Sequence, residues 1–187
     1  MSIKQLASVF ALIASAAQAD VLDDLLEQEA MAGRFTQEIV AADGTLLESS
    51  AGSFRLMKPD YLWWQIETPD RQLLVTSGDT LTQIDWDLEV RSTHDMADMD
   101  KTPLYYLLTS RSDIEAAFDV DVVGAAVLLA PRESTSLYQR ILIEKDTAAG
   151  WRLRITDRGD QSLEIRLLPE KSIALSPADF VAPDTPF

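Results

Sequence analysis

The sequence predicts a mainly β domain with some α structure: a single curved antiparallel sheet of about 11–12 strands, an unclosed β-barrel with a helical lid over an apolar cavity. Three observations predict it. From Gly33 onward side-chain polarity alternates with a period of two, and turn residues recur at hairpin spacing, at Asp43-Gly44, Pro69-Asp70, Gly78-Asp79 and Asp85-Trp86-Asp87. Helical spacing is confined to two short stretches, one near residue 20 and one near residue 105. A sheet of about a dozen strands in so small a domain must curl, and if it does not close, its concave face needs a cover that only those two stretches can supply.

Each element follows in order. Lys4, the apolar run from Leu6 to Ala17 and the small-x-small end Ala17-Gln18-Ala19 read as a signal peptide spanning residues 1–19 and cleaved after Ala19. The run is too short for a membrane span, which needs roughly 20 residues. Residues 20–187 then form one domain by length. It opens with an amphipathic helix: Val21, Leu22, Leu25 and Leu26 share a face, and Asp20, Asp23 and Asp24 sit where the helix dipole favours negative charge. Strands are expected over 34–41, 45–58, 61–67, 71–77, 80–86 and 88–93. Thr102-Pro103 makes an N-cap and first-turn pair, and Leu104, Leu107 and Leu108 follow at helical spacing, so this insert completes the lid. Ser112 with Glu115 reads as a capping box, starting a second helical turn that runs to about Phe118. Strands resume over 119–123, 126–131, 138–145, 151–157, 162–168 and 171–175, separated by turns at Gly124, 147–150, Gly159 and Pro169.

Composition narrows the function. Cysteine is absent, which removes disulfides, thiolate metal sites, thiol catalysis and an acylated N-terminal Cys. Sixteen Lys and Arg stand against 31 Asp and Glu, a net charge of −15 that becomes one unit more negative when Lys4 leaves with the leader. Nucleic acid is therefore not an expected partner. The same charge repels anionic headgroups, although an acidic surface also serves solubility alone. His94 is the single histidine, expected in an acidic loop with Asp95, Asp98 and Asp100. No serine sits in a nucleophile elbow, no loop has the glycine and terminal glutamate of a Ca²⁺ site, and there is no Gly-rich phosphate loop. No enzyme, cofactor or metal is expected.

Two positions invite a binding role. Leu62, Trp64 and Ile66 share one face of a strand while Trp63 points to the other with Gln65 and Glu67. Trp64 either packs a core or lines a cavity, and periodicity does not separate the two. Lys58 shares parity with Phe54 and Leu56, which turns it toward the concave side unless it snorkels to water at the rim.

The order of Gly33-Arg34-Phe35-Thr36-Gln37, Asp43-Gly44, Gly52-Ser53-Phe54, Lys58-Pro59, Leu62-Trp63-Trp64, Thr68-Pro69 and Leu74-Val75-Thr76-Ser77-Gly78-Asp79-Thr80-Leu81 resembles the periplasmic outer-membrane lipoprotein carrier family (LolA). The likeness continues through Thr102-Pro103, the strand from Val127 to Pro131 and Asp179-Phe180. It implies a monomeric periplasmic chaperone that takes lipoprotein acyl chains from an inner-membrane lipoprotein-releasing ABC transporter and passes them to an outer-membrane lipoprotein receptor. That receptor has a similar fold but is acylated at Cys, so a chain without Cys resembles the carrier. On the cavity reading Leu62, Trp64 and Ile66 face the cargo, and by their helical spacing Pro103, Leu104, Leu107 and Leu108 belong to the lid; by the resemblance Lys58 clamps the lid, with the carbonyls around Lys101 to Leu104 as acceptors. The chain departs from the family at Lys58, where Arg is usual, at Thr82, where Trp often stands, and at Phe187, short of the usual C-terminal segment. A carrier of another lipid or glycolipid is the alternative. A lipid hydrolase would need a Ser or His centre, and no triad stands out.

A carrier of this kind answers a physical need. Each methylene withdrawn from water is worth about 0.8 kcal/mol, so an acyl chain of roughly 15 methylenes carries on the order of 12 kcal/mol and must be covered in transit. The mature protein should begin at Asp20 and fractionate with the periplasm; N-terminal sequencing that returns Met1 from the membrane fraction would contradict this.

Overall fold

The computed structural model describes residues 20–96, 99, 102–146, 150–170, 174–185 and 187. The expected signal peptide, Asp98, Asp100 and Lys101 lie outside the described residues. Helix α1 (Val21–Leu26) leads into β1 (Ala30–Val40), β2 (Leu46–Met57), β3 (Tyr61–Thr68), β4 (Gln72–Ser77), β5 (Thr80–Asp85) and β6 (Val90–Asp95). A 3₁₀ turn (Pro103–Leu107) and α2 (Arg111–Ala117) separate these from β7 (Phe118–Val123), β8 (Ala126–Pro131), β9 (Tyr138–Lys145), β10 (Trp151–Asp157) and β11 (Ser162–Pro169). A last 3₁₀ turn spans Pro177–Phe180.

All eleven strands form one antiparallel sheet in the order β6-β5-β4-β3-β2-β1-β11-β10-β9-β8-β7. Long pairing of β1 with β11, from Gly33 opposite Pro169 to Val40 opposite Ser162, joins the first half of the chain to the last. β6 and β7 are the edges and do not pair, so the barrel is unclosed. The chain leaves one edge at β6 and enters the other at β7, so the intervening 3₁₀ turn and α2 must cross the gap. Among the described residues no helix is long and apolar enough to cross a membrane.

Gly52 marks where two strands come unusually close. A Cβ there would stand 1.8 Å from the Gln65 main-chain oxygen, at the register shift between Ala51 and Gly52, so only glycine permits this pairing of β2 with β3. At the β7–β8 turn Gly124 has φ +65°, a left-handed conformation that side-chain-bearing residues adopt only with strain.

Several local expectations are corrected. Among the described residues the sheet has eleven strands, within the expected 11–12; of the segment expected over 171–175, 171–173 lies outside the described residues and Ala174 and Leu175 carry no strand. The insert begins as a 3₁₀ turn rather than an α-helix. The box that starts α2 is Ser110 with Asp113, not Ser112 with Glu115: Ser110 N donates to Asp113 Oδ2 (3.2 Å) while Asp113 N donates to Ser110 Oγ (3.3 Å). Aspartate at the third helical position closes this box as glutamate does elsewhere. β6 begins two residues late because the chain turns through Glu89 at φ 55°, and His94 lies on that exposed edge strand rather than in a loop.

The sheet buries side chains on both faces. On the convex side Leu73, Val75 and Ile84 form a second core with Phe180, which is fully buried beneath the C-terminal segment. Tyr61 packs against Phe180 at 5.4 Å, and two arginines clasp the segment, Arg55 donating to the Asp179 carbonyl (2.9 Å) and Arg91 to the Pro183 carbonyl (2.8 Å). Trp63 belongs to this face, with the Arg55 guanidinium 4.9 Å above its ring.

Phe180→Ala should lower the unfolding free energy by about 3 kcal/mol in urea titration, because it empties a closed site. Gly52→Ala should destabilise as well, through the clash with the Gln65 carbonyl.

Candidate functional site

The concave face is built by strand parity. β1 turns Met31 and Phe35 inward, β2 Phe54 and Leu56, and β3 Leu62 and Trp64, while β8 to β11 supply Val127, Leu129, Ile141, Leu153 and Ile165 from the other half. Phe35 stacks on Trp64 with ring centroids 3.8 Å apart and planes 23° apart, and Phe54 leans on the same indole at 6.0 Å. Trp64 is 4 % exposed and Leu62 fully buried, while Ile66 is half-buried at the border of the cluster. The two readings of Trp64 therefore coincide in geometry, since this core is also the wall under the lid.

The lid presses apolar side chains into that face. Leu22, Leu25 and Leu26 descend from α1, Leu107 and Leu108 from the 3₁₀ turn and Ile114 from α2, all buried. Pro103 and Leu104 are half-buried at its margin. At the centre of the contact between lid and sheet the space lined by Leu22, Leu25, Leu107, Ile114, Leu129 and Ile143 among others is about 10 Å³. Such a space holds one water at most, and an apolar lining keeps it dry. The centre of the cavity expected from sequence is thus filled by the lid's own side chains.

Few polar contacts hold the lid down. Lys58, at the end of β2, is half-buried and donates from Nζ to the main-chain carbonyl of Leu26. That acceptor is on α1, not on the insert carbonyls around Lys101 to Leu104 that the sequence suggested. Burial lowers the Lys58 pKa from the ordinary lysine value, opposed by the charge of Glu29. Arg111 at the start of α2 reaches Glu115 (2.8 Å), Asp20 (3.0 Å) and Asp23, binding α2 to the first turn of α1. Its hydrogen bond to Glu115 and then those to Asp23 and Asp20 raise the Arg111 pKa, so it stays cationic. Lys145 on β9 pairs with Asp24. An open cleft of about 860 Å³ runs past these groups between α1, the β2–β3 turn and the insert, lined by Lys58, Asp60, Tyr105 and Arg111 among others.

Sequence reasoning brought Lys58, Leu62, Trp64, Leu107 and Leu108 to one site, and the structure places them on its two sides. It missed Arg111 and the carboxylates it ties. Arg111 to Glu115 at helical spacing was a visible signal, but nothing local pairs Arg111 with Asp20 or Asp23, about ninety positions away. Among the described residues no group of His, Asp or Glu could hold a metal ion.

A family model described as outer membrane lipoprotein carrier protein LolA matches residues 27–182. An outer-membrane lipoprotein carrier protein of Alkalilimnicola ehrlichii is 29 % identical over 169 residues, covering 89 % of this chain and 79 % of its own. One from Vibrio cholerae is 28 % identical over 154 residues, covering 80 % and 77 %. A solved LolA superfamily protein of Nitrosomonas europaea aligns with a TM-score of 0.48 at 10 % identity, over 88 % of this chain and 99 % of that one.

The tie between the two lid helices is open to direct test. Arg111→Leu removes three partly exposed ion pairs, each worth up to about 1 kcal/mol. Amide exchange at Leu22 and Leu25 should accelerate about tenfold while exchange in β1 and β11 stays unchanged, as measured by native-state hydrogen exchange.

Proposed function

Because this chain belongs to the family of the outer membrane lipoprotein carrier protein LolA, we propose that it is a periplasmic chaperone that shields lipoprotein acyl chains on the concave face of its sheet. The observation that carries the reading is a continuous apolar wall covered by elements that the sheet does not need for its own pairing. Residues 1–19 act as the signal peptide that exports it, and residues 20–187 form the carrier. Cargo arrives from a lipoprotein-releasing ABC transporter of the inner membrane and leaves to an outer-membrane receptor.

Magnitudes favour an exchange. Six lid side chains are buried, at about 1.5–3 kcal/mol each, which is the order of the ~12 kcal/mol carried by one acyl chain. Lifting the lid exposes apolar surface that cargo then covers, so loading and release lie near balance and need no nucleotide on the carrier. Transfer onward requires only that the receptor bind the chains somewhat better.

In this scheme Leu62, Trp64 and Ile66 touch the cargo, and Pro103, Leu104, Leu107 and Leu108 move with α1 and α2 as the lid. Lys58 is the clamp: its bond to the Leu26 carbonyl favours the closed, empty state, so loading works against it and release recovers it. Lysine offers fewer fixed donors than the planar guanidinium of arginine, which makes this a soft clamp. A carrier of another lipid or glycolipid would use the same wall, and mass spectrometry of material bound after periplasmic expression separates the two.

An in vitro transfer assay with labelled lipoprotein tests the scheme. Lys58→Leu should load at least as well as wild type and release to the receptor about tenfold less well, whereas Lys58→Arg should load less and release more readily. Trp64→Glu places a charge on the wall and should abolish loading; a variant folded by circular dichroism that still takes up acyl cargo would refute the wall as the binding surface.

A further inference from the structure

The concave face is graded along the strands. In the row nearest α1 stand Met31, Leu56, Leu62 and Leu81, and in the next row Phe54, Trp64 and Leu74. Beyond these the same face gains polar members: Gln83 lies opposite Leu74, Gln72 opposite Ile66, and Gln37 between Ser50 and Ile165. A cavity of about 300 Å³ opens there, with Trp64 and Ile66 from the apolar wall, Gln37, Gln72 and Gln83 around it, and Leu104 of the lid at its border.

The donors at this end are not used up by the fold. Gln72 Nε2 is donated to Asp85 (3.2 Å), but among the described residues the amides of Gln37 and Gln83 have no hydrogen-bond partner. Ser50, beside Gln37, is 4 % exposed and its Oγ has no partner either. A buried hydroxyl without a partner is uncommon in a native protein and leaves a free donor beside Gln37.

Resting on the carrier reading above, we propose that Gln37 and Gln83, with the Ser50 hydroxyl buried behind Gln37, form a neutral donor rim that hydrogen-bonds the ester carbonyls of an acylated glycerol head while its chains enter the apolar interior. The chemistry selects this end. Ester oxygens are acceptors without charge, matched by amide and hydroxyl donors. The larger cleft beside α1 is lined by Asp23, Glu27, Glu29, Asp60 and Asp113, and its donors Lys58, Arg111, Thr109 and Ser110 are already engaged, with the Leu26 carbonyl, with Glu115, Asp20 and Asp23, with the Tyr106 carbonyl and with Asp113. Continuity of Trp64 and Ile66 between wall and cavity lets one chain run inward from a head seated at the rim.

The test compares a dipalmitoylglyceryl-cysteine peptide with its dihexadecyl ether analogue, which keeps the chains and lacks the ester carbonyls. Wild type should bind the ester about tenfold more tightly, the worth of one or two neutral hydrogen bonds. Gln37→Leu with Gln83→Leu should lose that preference and bind the ether as wild type does; Ser50→Ala should lose part of it. Dipalmitoylglycerol and its diether, run in parallel, separate sources: a preference there assigns the rim to any acylglycerol, and one confined to the peptide pair assigns it to lipoprotein. A preference that survives in the double variant, or equal weakening of ester and ether, overturns the rim and leaves the carrier reading standing. Failure of wild type to bind either peptide removes both.

Discussion

β6 and β7 do not pair, so the concave face of eleven strands stays open along one side and its apolar side chains must be covered by whatever the chain places there. Closing the barrel would have removed the gap and any route to the interior with it. Leaving it open makes the cover a separate layer, made of a short helix before β1 and of the segment joining the two edges. The segment crosses the gap because its ends are fixed at β6 and β7, and this alone brings Leu107, Leu108 and Ile114 over the sheet.

Such a cover is held mainly by apolar contact, which has no direction and is readily replaced by other apolar matter. A few polar ties give it a defined seat: Lys58 to α1, Arg111 between the helices and Lys145 to Asp24. The sheet beneath is held by other means, by long strand pairing and by a convex core around Phe180 that the lid does not touch. The scaffold and its cover are therefore held by different residues.

Errors in the sequence reading fall where a contact crosses elements. Two capping boxes compete in Ser110-Arg111-Ser112-Asp113-Ile114-Glu115, and the first wins because Ser110 and Asp113 satisfy each other's amides as α2 starts at Arg111. Lys58 was read toward the correct side by parity, but its acceptor is on α1, whose position depends on the whole sheet. Ser50 and Gln37 read as ordinary polar members of alternating strands; only their register partners and burial show that they share the inner face with Trp64.

The sequence by itself determined the period-two strands, their hairpin turns, the two helical interruptions and the parity that sends Leu62 and Trp64 one way and Trp63 the other. These are local consequences of backbone geometry and side-chain alternation, which neighbouring residues are enough to specify. Tertiary structure decided that β1 pairs with β11, that the edges stay apart, that the lid leaves about 10 Å³ at the centre of its contact with the sheet, and that Arg111 meets Asp20 and Asp23. Those outcomes depend on contacts between distant segments, whose energies are set by how the curved sheet brings them together and not by any residue's neighbours in the chain.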